Sequence, residues 1–265
     1  MTNKPFPGNF YSLAGNGCKV FAGRKQFSNL AKHLGDQTGV AEARALLANQ
    51  LGCEIQWLKQ VHGNDVLDVE AQTHIDQKEH SQTQDPIADA AITGRVNSAI
   101  AILTADCLPV MFADVRGYFV AGAHAGWRGL VNGVLDKTIQ AFVQKGIPAG
   151  EIRAFFGPAI GANAFEVGDE VRQTFANQAR PEEMQATLKA FVKIVGSENK
   201  WLANLWALAA IRLARFGVLI EHAALSQSTG FCTYANPREY FSYRYFCHHP
   251  QALDGRQATL IWRSQ

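Results

Sequence analysis

Residues 98–131, SAIAILTADCLPVMFADVRGYFVAGAHAGWRGLV, hold three short apolar runs separated by only a few polar residues. Runs of this length, bounded by turn residues, read as buried strands. SAIAILT (98–104) is one strand, and LPVMFAD with YFVAGAHA folds back as a hairpin. A two-residue turn at Arg116-Gly117 would pair Val115 with Tyr118, the glycine supplying the positive φ such a turn needs. Side chains alternate faces along a strand, and opposite residues share a face. In that register Cys107 and His124 stand two positions from direct opposition, on the same face. A three-residue turn would set them on opposite faces, because one residue of slip reverses a strand. Asp106 before Cys107, and Gly122, Gly126 and Gly129 around His124, leave the backbone room to bend. Taken alone, a cysteine on a buried strand packs as a small hydrophobe and a histidine there is a satisfied core residue. His62, at the end of a further strand in KQVHGND, adds a third candidate.

Elsewhere strand and helix signals alternate without a repeat or a Pro/Ser-rich linker, which points to a single α/β domain spanning 1–265. VAEARALLANQLG (40–52) has helical spacing and a terminal Gly52 suited to a C-cap. EIQWLKQVHG and DVLDVE (54–70) read as two short strands joined by a tight Gly63-Asn64 connection, and the polar stretch 71–86 as a surface loop. WRGLVNGVLDKTIQAFVQKG (127–146) repeats apolar residues at helical spacing up to Gly146. EIRAFFGPAIG (151–161) returns as a strand into a Gly/Pro loop. Helices are expected near 168–178, 181–195 and 199–216, and strands at VLIEHAAL (218–225) and ATLIWR (258–263).

The net charge of +2 comes from scattered basic residues, which excludes a phosphate-tracking stripe for nucleic acid. No apolar stretch reaches the ~20 residues of a membrane span, and MTNKPFPGNF lacks the parts of a signal peptide; a cytoplasmic protein is expected. Five cysteines without a C-x-x-C fit a reducing compartment, where Cys18 and Cys53 serve as buried hydrophobes. Neither a dinucleotide-binding nor a P-loop glycine motif is present.

KQVHGNDV (59–66), ADAAIT (88–93), LTADCLPVMFAD (103–114), AGAHAGWRG (121–129), FFGPAIG with FEVGDEV (155–171), CTYANP (232–237) and FSYR (241–244) occur in the order of the YfiH-like laccase-domain family, which the chain resembles from about residue 54 onward. That family is also called multicopper polyphenol oxidase or purine nucleoside phosphorylase. The resemblance implies an α/β/β/α sandwich of mixed sheets and a catalytic zinc held by His62, Cys107 and His124. Two imidazoles and a thiolate leave a tetrahedral zinc with an open fourth position, the pattern of a catalytic site. It implies phosphorolysis of adenosine, inosine or methylthioadenosine, and deamination of adenosine by a zinc-activated water. Phosphate needs cations near the metal, and Lys59 and Arg128, flanking two ligands, are the candidates, with Gln60 as a polar partner. The expected partners are thus a small nucleoside and phosphate, with no nucleic acid or membrane, in a monomer or weak homodimer.

Two other chemistries remain. His2Cys could hold a single copper, but a multicopper cluster needs H-x-H pairs and the eight histidines form none. A metal-free cysteine hydrolase or amidase would use Cys107 as nucleophile and His124 as base. Departures from the family pattern fall in three places. GANAFEVG follows GPAIG where small or Cys residues are usual and would alter a pocket wall. Asn204 stands where an aspartate is usual. YFCHHPQALDGR (245–256) is longer than usual, and its Cys247-His248-His249 is expected to be loop rather than ligand. Asp89 and Asp106 are placed to orient a ligating histidine from behind or to cap turns.

Overall fold

The computed structural model describes residues 8–15, 17–34, 37–71, 85–226 and 228–264. Two mixed sheets form its centre. The five-stranded sheet has the order Gly8–Leu13, Cys18–Gly23, Gln257–Arg263, Ser98–Thr104, Glu54–Gln56. Its pairings are antiparallel except the last, which is parallel. The six-stranded sheet runs Leu219–Ile220, Ile152–Phe156, Leu108–Asp114, Val120–Ala125, Ala90–Thr93, Val66–Asp68. Here both edge strands pair parallel and the inner pairings are antiparallel.

Alternation along Ser98–Thr104 assigns the layers. Ile100 and Ile102 face the six-stranded sheet, where a Cβ on Gly122 would come within 3.0–3.1 Å of them. Ala99, Ala101 and Leu103 face the other way, joining Phe21, Leu260 and Trp262 beneath Leu47 of the helix Gln37–Leu51. On the far side of the six-stranded sheet, Phe112 meets Phe142 of the helix Val134–Gln144 edge-on, ring centroids 6.5 Å apart. The helix Leu205–Ala214 adds Leu205, Leu208 and Leu213 to the same core. The architecture is therefore the α/β/β/α sandwich of mixed sheets. Both faces of each central strand are covered, so the apolar runs are continuous rather than alternating.

The hairpin keeps the expected register, with Leu108 opposite Ala125 and Pro109 opposite His124. Its turn is longer than the two residues expected. Gly117 N–H returns to the Asp114 carbonyl (2.9 Å), and Asp114 N–H pairs with the Phe119 carbonyl across the loop. The Asp114 carboxylate accepts the N–H groups of Arg116 (2.9 Å) and Phe119 (2.6 Å), which stabilises the wider loop. Widening by two residues preserves the parity that sets Cys107 and His124 on one face.

Other expectations are corrected. Glu54–Gln56 and Val66–Asp68 do not form a hairpin; they join different sheets, each beside a parallel partner. The helix expected over 127–146 breaks into Trp127–Val131 and Val134–Gln144 at Gly133, whose φ is 81°. The helices expected at 181–195 and 199–216 shrink to Met184–Lys189 and Leu205–Ala214. The residues they lose, Phe191–Lys193 and Lys200–Ala203, pair with each other, and Glu166–Gly168 completes a three-stranded sheet. Within 218–225 only Leu219–Ile220 is strand. Cys247 and His248 end a short helix, Tyr243–His248, rather than lying in a loop. Gly52, with φ 64°, ends its helix as expected. The polar stretch 71–86 lies, from 72 to 84, outside the described residues, as does the start of the chain through residue 7. Among the described residues no helix is long and apolar enough to cross a membrane.

The feature that positions the site is the passage between sheets. Thr104 ends a strand of one sheet and Leu108 begins a strand of the other, so Ala105, Asp106 and Cys107 carry the chain across. Asp106 takes φ 97°, a conformation non-glycine residues seldom adopt. It is held there by Thr233 Oγ1 (2.6 Å) and the Arg244 N–H (2.7 Å) on its carboxylate, and by the Ile160 N–H (2.9 Å) on its carbonyl. Phe112 is wholly buried between its sheet and the helix beyond, so Phe112→Ala is expected to cost about 3–5 kcal/mol, read as a lowered denaturant midpoint at unchanged m-value.

Candidate metal centre

His124 lies near the end of Val120–Ala125, on the face it shares with Gly122, and is 4 % exposed. Cys107 comes up beside it from the crossing segment. His62 reaches them from the Val61-His62-Gly63 turn, taking φ 61°. One ligand atom from each residue lies within 4.8 Å of the other two; His62 is exposed, Cys107 half-buried and His124 buried. Cys107 Sγ is 3.9 Å from His62 Nε2, and the two imidazole rings meet edge to face at 4.8 Å. The cluster therefore opens to solvent on the His62 side and is closed behind His124.

Asp89 organises this geometry. The carboxylate is wholly buried and accepts the backbone N–H groups of Val61 (3.1 Å), His62 (2.9 Å) and Gly63 (2.7 Å). It also pairs with His124 Nδ1 at 2.8 Å, while the Asp89 carbonyl accepts the His124 N–H at 2.7 Å. One side chain thus fixes the turn that presents His62 and the ring orientation of His124. With Nδ1 so engaged, His124 turns Nε2 toward the cluster. Burial alone would raise the Asp89 carboxyl, but the His124 hydrogen bond and the N–H donors bring it below its ordinary value. Of the two roles anticipated for Asp89 and Asp106, orienting a histidine and capping a turn, Asp89 performs both, while Asp106 ties the segment before Cys107 to Thr233 and Arg244.

The electrostatics follow. Burial pushes the Cys107 thiol up, but the charges and hydrogen bonds of His124 and His62 outweigh it and bring the pKa down to about 6. Burial pushes His124 down, and the Cys107 thiolate together with Asp89 carries it up to about 9. At neutral pH the metal-free cluster therefore holds a thiolate beside a protonated His124, and an ion that displaces the His124 proton meets a thiolate and two imidazoles. Zinc bonds of about 2.0–2.3 Å imply donors roughly 3.5 Å apart, so the 3.9 Å between Cys107 and His62 is close to a ligating geometry. The residues present fit one zinc-sized ion. Gly126 keeps the room for it: a Cβ there would stand 2.8 Å from Cys107 Sγ and 3.4 Å from the His62 ring.

The residues expected to hold phosphate separate. Arg128 begins the helix after the His124 strand, exposed, with its guanidinium 4.5 Å from the Trp127 ring centroid. Among the described residues no carboxylate pairs with it. Lys59 is exposed, its backbone bridging to Ile87. The Gln60 amide donates to the Leu103 carbonyl and accepts the Leu103 N–H, both at 2.8 Å. These bonds clamp the His62 segment to the five-stranded sheet.

The segment His248-His249 does not join the cluster. His248 meets the Tyr234 hydroxyl (3.1 Å) and His249 stacks on Tyr245 at 3.9 Å. The two remaining departures, the GANA stretch (161–164) and Asn204, meet in the wall of one cavity of about 550 Å³. Asn204 also caps the helix Leu205–Ala214 by accepting the Ala207 N–H. Sequence reasoning anticipated a changed wall but not that both positions share it.

A cysteine and two histidines, backed by a carboxylate at one end of a double sheet, define an α/β/β/α protein with a donor set that could hold a metal ion. The family described as multi-copper polyphenol oxidoreductase laccase matches residues 17–264, and the chain belongs to it. It is similar to a purine nucleoside phosphorylase of Pseudomonas aeruginosa, 37% identical over 88% of this chain and 85% of that one. The purine nucleoside phosphorylase YfiH of Escherichia coli is likewise 37% identical over the same shares. A crystal structure of a Neisseria meningitidis protein superposes with a TM-score of 0.80 at 33% identity, covering 98% of this chain and all of the other.

Two outcomes are expected. Asp89→Asn removes the charge that orients His124, and should weaken zinc affinity about 10–100-fold in a competition titration while leaving the circular dichroism spectrum intact. In metal-free protein, iodoacetamide should alkylate Cys107 with an apparent pKa of about 6, the thiolate being lost only as pH falls through that value. A profile rising near 9 contradicts the imidazole-held thiolate.

Proposed function

We propose that the chain is a zinc-dependent purine nucleoside enzyme that phosphorolyses adenosine, inosine or methylthioadenosine and deaminates adenosine. The observation that carries it is the His62–Cys107–His124 cluster, open to solvent on one side and fixed from behind by Asp89. The names of the relatives supply the substrate class. Zinc held by these three residues would supply a Lewis acid with a free coordination position.

This chain's own residues do the rest. Asp89 holds His124 Nδ1 and so fixes which nitrogen faces the cluster. Arg128 and Lys59, both exposed and without carboxylate partners among the described residues, are the groups to draw phosphate to the rim. The Arg128 fork suits two phosphate oxygens at once. In phosphorolysis a phosphate oxygen bonds to the ribosyl C1′ as the bond from C1′ to the purine nitrogen breaks, and the base departs with its electron pair and takes up a proton. In deamination water adds at C6 and ammonia leaves. Three donors in one group among the described residues suit a single ion, which supports nucleoside chemistry over multicopper oxidation.

One observation favours a second reading. Cys107, His124 and Asp89 form a thiolate–imidazole–carboxylate line, the arrangement of a metal-free cysteine amidase. Elemental analysis separates the two, since a ligating thiolate and a free nucleophile are incompatible resting states. The purified chain is expected to hold about one zinc and to release hypoxanthine from inosine only with phosphate. Cys107→Ala should lose both metal and turnover while remaining folded; normal turnover by that variant would overturn the assignment. Ammonia release from adenosine without phosphate measures the deaminase arm.

A further inference from the structure

The cavity of about 550 Å³ shares no residue with the metal cluster. It lies at the same end of the six-stranded sheet. Cys232, in its wall, is followed by Thr233, whose hydroxyl holds Asp106 next to Cys107. Phe156, where the strand Ile152–Phe156 ends, forms another part of the wall.

The lining has a consistent chemistry. Phe156, Trp206 and Tyr234 supply aromatic surface, Ala207 and Ala210 keep the helix side thin, and Asn163 and Asn204 supply carboxamides. Among the described residues no Asp, Glu, Lys, Arg or His lines it. Asn204 spends its oxygen on the Ala207 N–H, which leaves its amide nitrogen as a donor. Trp206 is 7 % exposed, and its indole N–H finds no acceptor among the described residues. The volume falls in the range that encloses small organic ligands.

We propose that this cavity is a binding site for an uncharged heteroaromatic molecule of nucleobase to nucleoside size, separate from the metal cluster. Aromatic walls take a flat ring by stacking. The carboxamides of Asn163 and Asn204 read ring nitrogens and exocyclic groups. A purely aliphatic guest leaves those donors unmet, and a phosphorylated one would bring a buried charge to a site with no counter-charge. The site goes beyond the reaction proposed above, because its ligand need not be the molecule that reacts at Cys107.

Calorimetric titration of the full chain with hypoxanthine, inosine and inosine monophosphate tests this. Hypoxanthine and inosine should bind at submillimolar concentration, and binding should survive Cys107→Ala, which disables the cluster. Ala210→Leu, a good helix former directed into open volume, should weaken binding at least tenfold. Inosine monophosphate should bind at least tenfold more weakly than inosine. The proposal is overturned if binding is abolished by Cys107→Ala, if it is untouched by Ala210→Leu, if the monophosphate binds as well as inosine, or if no heterocycle binds at millimolar concentration. Failure of the Cys107→Ala turnover test would leave this result standing, so the two readings fall separately.

Discussion

A single buried carboxylate sets the geometry of the site. Asp89 meets four donors, three backbone N–H groups of the His62 turn and Nδ1 of His124. A carboxylate with no access to water is costly unless its lone pairs are met. Here the partners that meet them are the parts of the site that need fixing. His62 takes a positive φ, which costs conformational energy for a β-carbon-bearing residue, and the anchored turn offsets that cost. Without Asp89 the turn has no reason to hold this shape, and His124 could present either nitrogen.

The second constraint is topological. The chain leaves one sheet at Thr104 and enters the other at Leu108. Three residues are too few for a relaxed crossing, so the strain concentrates at Asp106, φ 97°. The segments CTYANP and FSYR return to that point through Thr233 and Arg244. Cys107 is therefore not a strand residue placed by alternation alone. It sits on a bend fastened from both sides, half-exposed at the edge of the layer between the sheets.

What was legible in the sequence follows what is local. The strands Ser98–Thr104 and Leu108–Asp114 and the parity of the hairpin rest on apolar runs and on Gly117, and all three stand in the structure. The turn length was misread because it depends on the Asp114 carboxylate bonding to Arg116 and Phe119. Trp201 was assigned to a helix by its spacing to Leu205 and Leu208, yet it lies in a strand opposite Val167 and Lys193. Pairing partners distant in sequence overrode the local periodicity. The same holds for Glu54–Gln56 and Val66–Asp68, whose separation into two sheets nothing in their own residues announces. At the site, Cys107, His124 and His62 were nameable from motifs, and the structure brings them together. The pairing of the Gln60 amide with Leu103, which fastens the His62 segment to the neighbouring sheet, is a contact invisible without the fold.

The distribution of charge divides the surface around this end of the sheets into two regions with different tasks. At the cluster, anionic Cys107 and Asp89 lie among imidazoles, and exposed Arg128 and Lys59 stand on the flanking segments. That region is suited to an ion and to anionic reactants. Among the described residues the neighbouring cavity has no ionisable acid or base in its wall except a cysteine and a tyrosine, and is walled by rings and carboxamides. An uncharged heterocycle partitions into the second and is disfavoured beside the first only by competition with water. A phosphate does the reverse, since desolvating its charge without a counter-ion is far costlier than desolvating an amide. A nucleoside and a phosphate therefore do not compete for the same walls, and one short seam, Asp106 with Thr233 and Ile160, joins the regions that would receive them.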